Sequence, residues 1–217
     1  MGPPSRRRGS GRTSSGTDEP ASSREVNPLE TSRLLLRHFE PRDADDIYAA
    51  VYSDPDVCKF YCGETRSRES MDEWLIYRSH QSRGNDFGLL AVELRSDRRV
   101  IGLCGLQAYV TDWLRMESEP DRPDHPLEVE LTYALGRAWW GKGYATEACR
   151  AVIDFAFTEL KLRRLVTGVH DANVAATRLQ DRLGMRRERN VLGTFCETVG
   201  ILDNPIVIKE GAIHGNT

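Results

Sequence analysis

The stretch Leu127-Glu-Val-Glu-Leu-Thr-Tyr-Ala-Leu135 runs straight into Gly136-Arg-Ala-Trp-Trp-Gly-Lys-Gly143 and then Tyr144-Ala-Thr-Glu-Ala148. Its opening residues alternate. Leu127, Val129, Leu131, Tyr133 and Leu135 share one face of an extended chain, and Glu128, Glu130, Thr132 and Ala134 share the other. From Tyr144 to Leu160 the apolar residues instead recur at helical spacing. The glycines between strand and helix let the chain turn tightly and bring N–H groups to a ligand with no Cβ in the way. The helix start adds its positive dipole end and its unpaired N–H groups at the same point. The result is an anion seat suited to phosphate or diphosphate.

Downstream, Arg164-Leu-Val-Thr-Gly-Val-His170 reads as a strand and 173–184 as a helix. Strand, glycine-rich turn, helix, strand is a βαβ unit, so part of the sheet is parallel. Further strand-like pieces lie near 191–196 and 204–209. Upstream, Thr31–Arg37 opens the ordered part as a short strand. Asp43 then caps a helix bearing Ile47, Ala50 and Val51. Asp54-Pro-Asp-Val57 reads as a turn, and Ser70-Met-Asp-Glu73 as the capping box of another helix. Segments 86–94 and 100–109 flank the polar turn Ser96-Asp-Arg-Arg99 as a hairpin. The connection 110–126 sets Asp112, Glu117, Glu119, Asp121 and Asp124 against Arg115 and Arg122. A loop of that length in a compact domain is functional or mobile. Residues 1–28 hold Val26 as their only large apolar side chain and read as a disordered tail. Residues 29–217 then form one domain.

Composition narrows the function classes. The chain of 217 residues has 30 Lys plus Arg and 33 Asp plus Glu, a net charge of -3, which argues against a nucleic-acid partner. No apolar run reaches the roughly 18 residues of a membrane span. No apolar segment near Met1 forms a secretory signal, so a cytoplasmic location is expected. The five cysteines, 58, 62, 104, 149 and 196, lack paired C-x-x-C spacing and read as reduced thiols without a metal.

Two phosphate-binding patterns compete for the turn. Gly136 to Gly141-Lys142 has P-loop spacing, but Gly143 stands where a Ser or Thr hydroxyl would hold Mg²⁺. The alternative is Trp140-Gly-Lys-Gly143-Tyr-Ala145, with Trp140 in the first slot of a Q/R-x-x-G-x-G/A pattern. Together with Asn173, Leu179-Gln-Asp-Arg-Leu-Gly-Met185, Arg33-Leu-Leu-Leu-Arg37 and Asp54-Pro-Asp-Val57, it resembles the GNAT superfamily of acetyl-CoA-dependent N-acetyltransferases. The nearest branch is that of the ribosomal-protein alanine N-acetyltransferases. The resemblance spans about residues 31–190.

It implies an α/β (α+β) GNAT fold: a mixed sheet of six to seven strands, splayed at the fourth and fifth, with helices on both faces. It further implies that acetyl-CoA is co-substrate, with its arm beside Tyr133, Ala134 and Leu135. The diphosphate would take the N–H groups of Gly141, Lys142, Gly143, Tyr144, Ala145 and Thr146, and Asn173 would touch the arm. The reaction would be attack of a primary amine, on a protein N-terminus or a small molecule, and by resemblance alone the chain is a candidate homodimer.

An ammonium is no nucleophile, so a base or a water chain must take its proton. Glu130 is the candidate, opposite the apolar stripe and matching the Glu of the family's E-I-G-Y-like segment, here Glu130-Leu-Thr-Tyr133. The competing expectation is that Glu128 and Glu130 are solvated residues on an exposed sheet face; separately, two carboxylates at i and i+2 are expected to repel and raise one pKa. Thr132 departs from the family's Gly. Gln180 stands where many members carry a thiolate-protonating Tyr, and Ala176 replaces a Ser, so no general acid is assigned. These departures keep a non-catalytic acyl-CoA-binding module open. His170 reads as structural, with a base or ligand role as the alternative; Arg178 and Arg182 read as a solvated face, the alternative being contact with the 3′-phosphate; Trp139 and Trp140 read as packing under the loop rather than stacking on adenine.

Overall fold

The computed structural model describes residues 27–82, 86–110, 114–119, 127–193 and 195–206. The tail expected over 1–28 lies outside these apart from Asn27 and Pro28. Strands Leu29–Glu30 (β1), Leu34–Arg37 (β2), Gly88–Leu94 (β3), Val100–Val110 (β4), Leu127–Leu135 (β5), Arg164–Val169 (β6), Arg186–Arg189 (β7) and Thr198–Asp203 (β8) form one sheet. Helices are Ala44–Ile47 (α1), Pro55–Tyr61 (α2), Ser70–Ser82 (α3), Tyr144–Thr158 (α4) and Val174–Leu183 (α5). The sheet order is β1-β2-β3-β4-β5-β6-β8-β7, eight strands rather than six to seven. Every neighbouring pair is antiparallel except β5 and β6, which are parallel and share the single register pair Glu130 and Val166. That is the expected splay.

Burial sorts the two faces. Ala148, Cys149, Val152, Ile153, Ala156 and Phe157 of α4 pack with Leu36, Val92, Leu131 and Leu165. On the other face Ile47, Val51, Tyr52, Met71 and Trp74 pack with Leu89, Ala91, Leu103 and Ala134. Odd-numbered residues of β5 therefore face α4, and even-numbered ones face α1 to α3.

Several local expectations are corrected. The late strands are Arg186–Arg189 and Thr198–Asp203, not 191–196 and 204–209. Arg-Arg-Glu-Arg shows no apolar alternation because β7 is the sheet edge, where charge suits an unpaired side. Residues 191–193 are turn, and 207–209 lie outside the described residues. Asp54-Pro-Asp-Val57 begins α2: the Asp54 carboxylate accepts from Asp56 N–H at 3.0 Å and Pro55 takes the first helical position. Ser70 lies inside α3, its hydroxyl donating to the Ser67 carbonyl at 2.9 Å, so it is not the cap. Thr31–Arg33 leave the sheet for a polar contact described below. Asp43 does not cap a helix with its side chain. Its carboxylate is held instead by Arg37 and by Glu40 N–H.

In the acidic connection, Val110 ends β4 and 114–119 are described. Leu114 and Met116 are buried against Val166, Cys196, Val199 and Ile201. Arg164 ties Glu119, at 2.7 Å, to β5 through Glu128. Among the described residues no helix is long and apolar enough to cross a membrane.

A buried ionic knot joins β2, β3 and the approach to α1. The Arg37 guanidinium binds Asp43 at 2.8 Å and Glu93 at 2.6 Å, and Glu93 has no exposed surface. Removing the cation leaves the buried Asp43 carboxylate with the Glu40 N–H but no positive partner, while Glu93 keeps Arg98 at 2.6 Å. Arg37→Met is therefore expected to cost about 3–5 kcal/mol, lowering Tm by about 10 °C, as read by calorimetry. A shift under about 2 °C would show the knot contributes little.

Candidate active site

The seat at the start of α4 follows from two glycines. Gly141 and Gly143 have φ of 72° and 81°, and Gly143 is the N-cap. The first helical bond is Glu147 N–H to the Gly143 carbonyl at 3.1 Å. Among the described residues no acceptor is placed on the amides of Gly141, Lys142, Gly143, Tyr144, Ala145 or Thr146. Gly141, Gly143, Tyr144, Ala145 and Thr146 line an open cleft of about 1460 Å³.

The cleft gathers most of the residues the sequence singled out. Tyr133, Ala134 and Leu135 line it from β5, and Trp140, Gly141 and Gly143 from the turn. Tyr144, Ala145 and Thr146 line it from α4, and Asn173 from the cap of α5. Lys142 does not line it; its carbonyl accepts from Arg33 at 3.0 Å. The Leu135 carbonyl is already engaged, taking the Trp140 indole N–H at 2.6 Å. Trp140 thereby pins the end of β5 to the turn. The Asn173 side-chain oxygen caps α5 by accepting from Ala176 N–H at 3.1 Å.

Glu130 sits where β5 and β6 part, on the face toward α1 to α3. Its carboxylate accepts from Gly168 N–H of β6 and from the Thr132 hydroxyl, each at 3.4 Å. Burial pushes its carboxyl above the ordinary range, and those two donors pull against that rise. The expected cause, repulsion from Glu128, is corrected: Glu128 is buried and neutralised by Arg164. Neither carboxylate is a solvated residue on an open sheet face. Gln180 is fully buried under Gly200, donates to the Thr167 carbonyl at 3.4 Å and does not line the cleft. A buried amide there cannot protonate a leaving thiolate.

The sequence did not reveal a cluster at the seat. Glu147 receives Thr31 Oγ1–H at 2.6 Å, Ser32 Oγ–H at 3.1 Å and Arg33 N–H at 2.9 Å, and pairs with the Arg33 guanidinium at 2.6 Å. Burial works against its charge, but these donors hold the carboxyl below its ordinary range. Arg33 also stacks 4.3 Å from the centroid of Tyr144. Arg182 is no merely solvated residue: it lines the cleft and donates to Thr146 at 3.3 Å. Only contacts more than 30 residues apart along the chain assemble this cluster, so no local motif announces it. Phe60 and Tyr61 of α2 close the far side of the cleft.

A family model described as an acetyltransferase (GNAT) domain matches residues 33–186. The chain belongs to the GNAT acetyltransferase family. The uncharacterized N-acetyltransferase p20 of Bacillus licheniformis is 32% identical over 168 residues, 75% of this chain and 84% of that protein. A GNAT-family acetyltransferase structure from Bacillus anthracis superposes with a TM-score of 0.61 at 22% identity, covering 81% of this chain and 96% of that one. A ribosomal-protein-S5-alanine acetyltransferase structure from Vibrio fischeri gives 0.60 at 16% identity, covering 82% and 97%. At these identities the two structures speak to the fold of this GNAT protein.

A carboxyl raised on folding stabilises the fold below its unfolded pKa and loses that contribution as pH climbs through the folded value. Glu130→Gln keeps an acceptor for Gly168 N–H and removes the charge. The variant is expected to melt above the parent near pH 8 and level with it near pH 4, by scanning calorimetry. A variant that melts lower near pH 8 would place Glu130 among the residues that stabilise the fold.

Proposed function

We propose that the protein transfers an acetyl group from acetyl-CoA to a primary amine, on a protein N-terminus or a small molecule, by direct attack in a ternary complex. The observation that carries this reading is one cleft lined both by Tyr133, Ala134 and Leu135, past the single β5–β6 register pair, and by Gly141, Gly143, Tyr144, Ala145 and Thr146, on whose amides no acceptor is placed among the described residues. A diphosphate satisfies orphan N–H groups at a helix start, and an extended ligand arm satisfies the edge of β5 that β6 has left.

The amides of Gly141 through Thr146 would hold the diphosphate, with Arg182 close enough to add charge. Tyr133 to Leu135 would flank the arm, with Trp140 fixing the strand end and Asn173 facing it. When bound, acetyl-CoA supplies an activated acetyl thioester. The chain orients the two substrates side by side, and Glu130 takes a proton from the amine nitrogen. Its burial favours that step, because a raised carboxyl pKa makes a better proton acceptor near neutrality.

The second reading is a binding module that holds acyl-CoA without transferring it. The buried amide of Gln180 and the hydroxyl of Thr132 favour it. One assay separates the two: release of CoA thiol with four acceptors, an alanine-initiated peptide, a serine-initiated peptide, spermidine and kanamycin. Turnover with at least one is expected. Glu130→Gln should lower kcat by about 10²-fold or more and leave coenzyme affinity by calorimetry within about twofold. Tight coenzyme binding with no turnover on any of the four would favour the module. Undiminished turnover by Glu130→Gln would remove Glu130 as the base.

A further inference from the structure

We propose that His170, held by Glu197, is a second proton-transfer group of this site and takes the first proton from the acceptor's ammonium. This rests on the acetyltransferase reading above. An alkylammonium sheds two protons on its way to an amide, one before it attacks and one after. Glu130 accepts one at a time, so a single carboxylate leaves half of the proton traffic without a protein carrier.

The geometry puts His170 on the right face. Register partners in a parallel pair point the same way, and Glu130 pairs with Val166. Val166, Gly168 and His170 alternate along that face, and Gly168 N–H already touches the Glu130 carboxylate. His170 follows about 7 Å further along the strand, just past the end of β6. Its ring lies 6.2 Å, centroid to centroid, from that of Phe60 on α2. Phe60 lines the same cleft as Tyr133 and Ala134. His170 thus stands just past the end of β6 and beside Phe60 of the cleft wall, with its own side chain outside the cleft lining.

Its partner fixes the ring's orientation. Glu197 Oε2 lies 3.2 Å from His170 Nδ1 and accepts Asp171 N–H at 3.2 Å. The Glu197 and Asp171 amides hold the Glu197 carboxyl below its ordinary range. An ionised carboxylate only accepts, so Nδ1 carries the ring proton and the Nε2 lone pair is left for a substrate. Among the described residues nothing engages Nε2.

The other charged groups around the ring are accounted for. Asp171 is bound by Thr198 at 2.7 Å and by Arg189 of β7 at 2.8 Å. On α2, Lys59 leans over Phe60, 5.1 Å from its centroid. On β5, Glu130 is the nearest acid on the shared face.

The step balances. An ammonium N–H bond breaks, its electron pair stays on nitrogen, and the proton forms Nε2–H. The imidazolium, paired with Glu197, passes that proton to water across a side chain that is 42% exposed. The second proton goes through Glu130 to the departing sulfur. The result is one proton in water and one on the thiol.

The test is kcat/KM against pH for the full chain, with whichever of the four amines above turns over fastest. His170→Gln should lose about 100-fold near pH 7, and the defect should shrink toward parity as pH nears the amine's own pKa, where free amine needs no carrier. Coenzyme affinity and Tm should stay level. Glu197→Gln should reproduce this pattern, and the double variant should be no worse than the worse single one. A defect that is absent, constant across pH, or multiplied in the double variant overturns the proposal. Wild type that acetylates none of the four overturns the acetyltransferase reading and this proposal together. An active wild type matched by His170→Gln at every pH overturns this proposal alone.

Discussion

A parallel strand pair that meets at a single register position is the constraint on which the site depends. β5 and β6 join at Glu130 and Val166 and then separate. The Glu130 side chain takes the Gly168 N–H that would otherwise continue the ladder. Beyond that pair Tyr133, Ala134 and Leu135 of β5 line a cleft. Backbone groups at such an edge need partners, so the opening is matched to an extended, hydrogen-bonding ligand. Burial raises the Glu130 carboxyl at this junction, and the Gly168 N–H pulls against that rise.

The helix start completes the arrangement. α4 buries its apolar side in the core, which fixes where its first turn ends up. Glu147 in that turn would oppose a diphosphate if it were unpaired. Instead Thr31, Ser32 and Arg33 surround it, and the Arg33 guanidinium neutralises it. The positive end of the helix is left for an exogenous anion. The segment preceding β2, at one extreme of the sheet, is thereby fastened to the seat at its centre. On α2, Asp54 and Asp56 grip Arg137 at 2.7 and 2.6 Å, fixing the turn from its other side.

The parts legible in the sequence were those with local causes. The alternation of Leu127–Leu135, the glycines at 141 and 143 and the helical spacing after Tyr144 each record a local backbone demand, and they sufficed for the βαβ unit and the seat. β7 was invisible because an edge strand of Arg186-Arg-Glu-Arg buries neither face and carries no alternation. Asp54-Pro-Asp-Val57 was misread because turns and helix starts use the same capping chemistry. Glu128 looked solvated until Arg164, 36 residues away, was seen to pair with it. Arg33, Arg182 and Glu197 gain their roles only through distant partners. His170 was visible as a residue, and Glu197 gives it an orientation that the strand pattern cannot supply.

The central claim is that free amides at the start of α4 grip a diphosphate. Amide chemical shifts of the nitrogen-15-labelled full chain, titrated in parallel with coenzyme A and with pantetheine, test it most directly. The Gly141–Thr146 amides are expected to move strongly with coenzyme A and hardly at all with pantetheine, which lacks the diphosphate, while Tyr133 and Ala134 respond to both. Amides at 141–146 that stay still in saturating coenzyme A, with shifts clustered elsewhere, would contradict it.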